Sequence, residues 1–239
     1  PIWNAPRNAR YAKQAEFITA SASAAVIEFL GSVLKGEFLE RLHRPMLAAF
    51  AEREWTTVVW PLDASNHGGD TPRRRAYTLC FSADVVQAAT AAGVPLPVCP
   101  DESSHVPRLA NALVPWHVVD EFHHHAIFEA VEVPEPPPDM RRLNREFVRP
   151  IARHCDEPVR DAESPGLPLK CRGAMPIIRV PDGRLRRLIF CEFVALGGLP
   201  YCVGFGSKHH RKTFSGNTWD WNLTNLTVRA ALEYMQPWL

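Results

Sequence analysis

The chain has 239 residues, of which 46% are hydrophobic and 22% charged, a composition typical of a globular protein rather than a disordered or transmembrane one. Its 27 Lys and Arg residues nearly balance its 26 Asp and Glu residues, so no strong overall field draws it to nucleic acid or anionic lipid, and no specific nucleic-acid partner is expected. The 22 prolines against 13 glycines predict stiff, extended connections.

The N-terminal part of the chain predicts a helical segment. From Asn8 to about Phe50 it is rich in alanine and has no internal proline before Pro45. The apolar run from Phe17 to Leu34 carries one charge, that of Glu28, which makes it a poor membrane span. It is interpreted as a helix buried against protein on most of its circumference.

Two strands and a basic step follow this segment. The strands are predicted over Trp55–Leu62 and Arg75–Phe81, and a turn-forming loop, residues 66–70, lies between them. The basic step is the triplet Arg73-Arg74-Arg75. We interpret it as a solvated entry to the second strand, with phosphate binding as the alternative.

The rest of the chain predicts strands and helices in turn. In chain order these are a helix over Ala83–Ala92, a strand over Trp116–Val133, a helix from Asp139 to about Cys155, a hairpin of Pro176–Val180 with Leu185–Leu196, a strand over Tyr201–Phe205, and a helix from Thr224 or Asn225 to about Gln236.

This order favours the α+β class, because strands outnumber a simple βαβ rhythm and helices are segregated. We expect residues 1–54 to form a helical N-terminal segment. Residues 55–239 should form an α+β domain in which helices pack on a mixed, mainly antiparallel sheet, and the two parts should make one continuous globular unit.

A histidine-rich stretch over residues 123–130 holds two candidate sites. The heptapeptide that begins at His124, HHAIFEA, resembles the His-His-x-x-x-Asp-Gly signature of the chloramphenicol acetyltransferase and dihydrolipoamide acyltransferase family. The resemblance implies that His125 is the general base of acyl transfer and Glu129 its ordering carboxylate. The same stretch resembles the His-x-His-x-x-x-Glu spacing of cupins, which implies a metal site of His123, His125 and Glu129, with His209 as a further candidate ligand.

A third candidate site lies near the C-terminus. The pair His209-His210, Gly216 and the run from Asn222 to Leu226 resemble the core of HNH nucleases. The resemblance implies that His210 activates water while neighbouring residues hold a divalent metal. The downstream ligand of that family is missing from the pattern unless Glu233 takes its place.

No cluster holds all the groups that a reaction requires, so we expect a non-catalytic protein with no bound cofactor. The proline-rich connections and seven tryptophans predict apolar surfaces that partner subunits cover. A chain that begins with Pro1 rather than Met is interpreted as a processed product, which fits loss of a mitochondrial presequence. The six scattered cysteines fit a reducing compartment.

These observations favour an accessory, structural subunit of a large multi-subunit intracellular assembly. The assembly is predicted to be a mitochondrial inner-membrane complex, either a respiratory complex or the ATP synthase, with peripheral membrane or lipid contact; the alternative location is the cytoplasm. The alternative functions are an acyltransferase that acts through His125 and a metal-dependent nuclease that acts through His210.

Overall fold

The computed structural model describes residues 5–122, 160–164, 166, 177–179, 183, 185–198 and 220–239. The chain forms two compact units. Unit 1 comprises Pro1–Asp63, Arg74–Ser103 and Asn222–Leu239, and unit 2 comprises Ala64–Arg73 and Ser104–Trp221. Helices accompany a small three-stranded sheet in each unit, as the α+β class predicts.

The sheet of unit 1 consists of β1 (Ala24–Leu30), β2 (Thr56–Asp63) and β3 (Arg74–Phe81). Strand β3 lies in the centre and pairs antiparallel with both neighbours. The register places Arg75 opposite both Leu30 and Leu62. Strands β1 and β2 therefore run in the same direction, and their C-terminal ends lie at the end of the sheet where β3 begins.

Helices cover this sheet. They are α1 (Ala5–Ser21), α2 (Gly36–Phe38), α3 (Arg44–Ala51), α4 (Ala83–Ala91) and, at the C-terminus, α7 (Trp221–Met235), and short 3-10 and π turns lie at Gly31–Leu34 and Leu39–His43. On one sheet face, Cys80 packs in a core with Ala15, Met46 and Phe50. On the other, the ring centroid of Phe81 lies 4.6 Å from that of Tyr234 in α7.

Unit 2 has a smaller sheet and a separate core. Its elements are α5 (Trp116–Phe122), β4 (Arg160–Asp161), β5 (Ile177–Arg179), β6 (Leu185–Arg187) and α6 (Phe190–Ala195), with 3-10 turns at Ala64–Asn66 and Leu109–Ala112. Strand β5 pairs parallel with β4 and antiparallel with β6. Buried apolar side chains from the 3-10 turn, β5 and the region of α6 form the core, among them Leu109, Ile178 and Leu196.

A buried ion pair lies within unit 2. Arg186 in β6 donates two hydrogen bonds to the carboxylate of Glu192 in α6, at 2.7 and 2.6 Å, and neither side chain is exposed. The same carboxylate accepts the backbone N–H of Ile189 at 3.0 Å and that of Val114 at 2.8 Å. Glu192 thus caps its own helix and joins three segments of the chain.

Several sequence-based predictions are confirmed in the described residues. Strands β2 and β3, helix α4, the antiparallel pairing of β5 with β6, and helix α7 all lie within a few residues of their predicted positions. Gly183, in the predicted hairpin turn, has a φ of +89°. These elements are bounded by Gly, Pro, Ser or Asn residues, which punctuate secondary structure locally.

Three predictions are wrong in part. The expected helix between Phe17 and Leu34 breaks after Ser21, and Ala24–Leu30 is a strand because Val26, Ile27 and Phe29 suit a pleated surface that β3 completes. Residues 116–122, predicted as strand, form helix α5. The hairpin's second arm ends at Arg187, and Phe190–Ala195 is a helix capped by Glu192. Among the described residues, no helix is long and apolar enough to cross a membrane.

Candidate functional site

The candidate site lies at one end of the unit 1 sheet, where β1 and β2 end and β3 begins. Two ion pairs lie there, one on each face of the sheet: Glu28 from β1 pairs with Arg75 from β3, and Asp63 from β2 pairs with Arg74 from β3. We call this group of four residues the edge cluster.

Glu28 and Arg75 form the enclosed part of the edge cluster. The Arg75 Nε atom donates to Glu28 Oε1 at 2.7 Å, and the two side chains are only 15% and 10% exposed, Arg75 and Glu28 respectively. Arg75 Nη1 also donates to the Arg74 carbonyl at 2.9 Å. With two hydrogen bonds in a partly desolvated setting, the guanidinium holds the carboxylate in a fixed orientation.

Aromatic residues lie beside this ion pair on the same sheet face. The register places Glu28 opposite Tyr77, and Tyr77 opposite Trp60, and residues directly opposite across antiparallel strands share a face. Both aromatic side chains are buried. The ion pair is therefore set against an apolar wall rather than in open water.

Asp63 and Arg74 form the outer part of the edge cluster, on the opposite sheet face. Arg74 Nε lies 3.0 Å from Asp63 Oδ2, and the side chains are 82% and 15% exposed, respectively. Successive residues of a strand point to opposite faces, so the adjacent Arg74 and Arg75 diverge. The solvated entry predicted for the arginine triplet is correct only for Arg74, because Arg73 is 5% exposed and Arg75 is enclosed.

A buried histidine supports the sheet beneath the cluster. His43 lies in the π turn, its Nε2 is 3.1 Å from Thr78 Oγ1 of β3, and the Phe29 ring meets it edge-on at 5.8 Å. Burial lowers the pKa of His43 below its ordinary value, so the ring is neutral near pH 7.

A second polar cluster, in unit 2, has a structural character. Asp70 Oδ1 accepts hydrogen bonds from the side chains of His105 and Asn111 at 2.9 and 2.7 Å and from the backbone N–H of Arg108 at 3.1 Å. The Asp70 carbonyl accepts the N–H of Gly166 at 2.8 Å. A Cβ atom at Gly166 would collide with Thr71, so this junction requires glycine.

Cysteine nucleophiles are not activated in the described part of the chain. Burial raises the pKa of Cys80 to about 12 and, with the charge of Glu192, that of Cys191 to about 12. The pKa of Cys99 is raised by partial burial and by Asp101. All three thiols stay protonated at neutral pH, so none of them supplies a thiolate.

The site residues named from sequence fall mostly outside the described residues. These are His123, His124, His125 and Glu129 of the histidine-rich stretch, and His209 and His210 of the nuclease-like pattern. Glu233 is described, and its carboxylate pairs with Arg229 at 2.8 Å on exposed helix surface. Within the ranges that the structure describes, no group of three His, Cys, Asp or Glu side chains is placed to hold a metal ion.

Solved structures identify the fold. No protein-family model matches the chain, and neither does any curated protein. The crystal structure of an S. pombe Dnmt2 methyltransferase matches with a TM-score of 0.61 and 14% identity over 96% of this chain and 74% of that one. The Entamoeba histolytica methyltransferase EhMeth matches with a TM-score of 0.59 and 9% identity over 97% and 73%, and a Spodoptera frugiperda DNMT2 mutant with 0.57 and 11% over 88% and 67%. The chain shares its fold with Dnmt2-type methyltransferases.

The Dnmt2-type fold overturns the functional prediction made from sequence. The expected non-catalytic accessory subunit of a respiratory complex or ATP synthase is wrong, because the matching structures are methyltransferases. The expectation of subunit partners without nucleic acid is contradicted by the same structures, since their fold is that of Dnmt2-type methyltransferases and not of an accessory subunit. Net charge alone does not decide the partner, because it does not report how charges are placed locally.

Proposed function

We propose that this protein is a methyltransferase that acts on nucleic acid and that Glu28 binds the acceptor base. The observation that carries the proposal is the enclosed Glu28–Arg75 ion pair at the carboxyl end of β1, in a fold shared with Dnmt2-type methyltransferases.

The chemistry of the pair suits a base that has left the helix stack. Methyltransferases reach a base by turning it out of the duplex, and they read its edge through hydrogen bonds. A carboxylate accepts hydrogen bonds from an amino group such as that of cytosine. Arg75 fixes the direction in which Glu28 presents its oxygens, and the buried Tyr77 and Trp60 exclude water on that face. Such pre-orientation lets the carboxylate bind the base without first reorganising.

The fold also implies a methyl donor such as S-adenosylmethionine, which supplies the transferred methyl group when bound. A cradle for such a ligand would need open space at the turn after β1. Gly31 stands there, but a Cβ atom at this position would lie 3.1 Å from the Arg74 Cβ, so Arg74 already fills the space. At this turn the described residues leave no room for a donor, and the proposal therefore places the acceptor base alone.

Methyl incorporation tests the proposal. The protein is incubated with radiolabelled S-adenosylmethionine and either RNA or DNA, and the label that enters the polymer is counted. Glu28→Gln should reduce the rate by about 100-fold or more, because it removes the charge that holds the base. Glu233→Gln is the matched control, since it neutralises an exposed carboxylate that is also paired with an arginine. Unlabelled polymer with the wild type, or full activity in Glu28→Gln, would disprove the proposed function.

A further inference from the structure

The outward-facing arginine of the edge cluster has no role in the function proposed above. Arg75 turns inward to Glu28, whereas Arg74 turns to the other face and is 82% exposed. An exposed arginine is usually a mobile solvated charge. The surroundings of Arg74 restrain it in two ways.

Asp63 and Gly31 fix the position of Arg74. Asp63 lies opposite Arg74 in the register and binds its Nε atom at 3.0 Å, which leaves the two Nη groups at the end of the guanidinium. Gly31 permits the close approach of the Arg74 Cβ, because any larger residue would press against it. Within the described residues, neither Nη group has a protein partner. The planar guanidinium is thus held through its Nε atom, and its two Nη groups remain available to a ligand.

We infer that Arg74 is a contact for a backbone phosphate of the polynucleotide substrate. Two Nη groups in one plane match two oxygens of a phosphate, which is the reason arginine predominates in bidentate phosphate recognition. Asp63 acts as a positioning residue, because it orients the guanidinium without occupying its outer nitrogens.

The position of Arg74 relative to Glu28 favours a polynucleotide over other phosphate ligands. Arg74 directly precedes Arg75, the residue that binds Glu28, so the two arginine side chains leave the same end of β3 on opposite faces of the sheet. Only a ligand that extends past this end of the sheet can contact both Glu28 and Arg74, and a polynucleotide has that length. The inference rests on the proposed function and adds to it a residue that binds the phosphate backbone of the substrate.

Salt dependence of binding tests this inference. Binding of a DNA duplex and of an RNA hairpin with the same stem is measured by fluorescence anisotropy over a range of salt concentrations. Each phosphate contact contributes about 0.7 to 0.9 to the slope of log affinity against log salt. Arg74→Ala should therefore lower the slope by that amount, so that an about fourfold rise in salt weakens the wild type about threefold more than the variant. Arg74→Lys keeps the charge and should keep most of the slope.

Arg44→Ala is the matched control. Arg44 is also exposed and paired, with Glu40 at 2.7 Å, so its removal changes the net charge equally but in helix α3. Equal slopes of log affinity against log salt in the two alanine variants would overturn the inference. So would an Arg74→Ala variant that loses binding to anionic lipid vesicles but still binds nucleic acid as the wild type does. An unchanged slope in a protein that still methylates would reject the phosphate contact and leave the proposed function standing. A wild type that neither binds nor methylates the polymers would reject both.

Discussion

Neutralising Glu192 tests whether the buried ion pair of unit 2 holds that unit together. Glu192→Gln conserves the side-chain shape but removes the carboxylate charge that the buried Arg186 guanidinium binds. Loss of one partner from a buried pair costs about 3–5 kcal/mol. The backbone N–H groups of Ile189 and Val114 also depend on this carboxylate, so we expect the upper part of the range.

Urea unfolding followed by far-ultraviolet circular dichroism measures the change. With a slope of about 2–3 kcal/mol per molar urea, a loss of about 4–5 kcal/mol should lower the midpoint by about 1.3–2.5 M. The double replacement Arg186→Met with Glu192→Leu should be less destabilised than the single variant, since it removes both buried charges. Glu233→Gln serves as the exposed control and should leave the midpoint almost unchanged. A midpoint in Glu192→Gln equal to that of the control would refute the reasoning.

Two further predictions concern the supports around the edge cluster and the junction in unit 2. Because the native pKa of His43 lies below the ordinary value of 6.5, the unfolded chain takes up the proton first, and stability should fall as the pH drops below about 6.5; His43→Leu should flatten this dependence of the urea midpoint on pH. Gly166→Ala should destabilise the protein by about 1–3 kcal/mol, because the added methyl group collides with Thr71 and lies 2.8 Å from the Asp70 carbonyl oxygen; a melting temperature equal to that of the wild type would contradict it.

The elements that sequence predicted well are those with local boundaries. Strand β3 begins within the arginine triplet, α4 follows Ser82 and ends just before Gly93, and the predicted bounds of both differ from the observed ones by one residue. Strand β1 could not be placed this way. The alanine-rich sequence that precedes β1 favours helix. Strand β3, whose pairing makes Ala24–Leu30 a strand, comes much later in the chain.

The site was missed for the same reason. From sequence, Glu28 indicates only a poor membrane span, and the arginine triplet predicts a solvated step, with phosphate binding as the alternative. A lone carboxylate within an apolar run needs a cation if it is to be buried. Arg75 lies near the start of β3, the second strand after β1 in the chain. That combination was the available signal. The likeness to the matching structures lies in the fold and not in overall sequence, since the identities are 9% to 14%.

Strand β3 is synthesised last of its sheet, yet it lies between the other two. A nascent chain that has emerged only as far as β2 cannot form the finished sheet, because β1 and β2 are not hydrogen-bonded neighbours. Until Arg75 leaves the ribosome, Glu28 stays hydrated and both outer strands expose unpaired backbone edges, which are prone to aggregate. A stalled or shortened translation product would therefore be a target for chaperones and proteases, and the proposed acceptor site would form in one step with completion of the sheet.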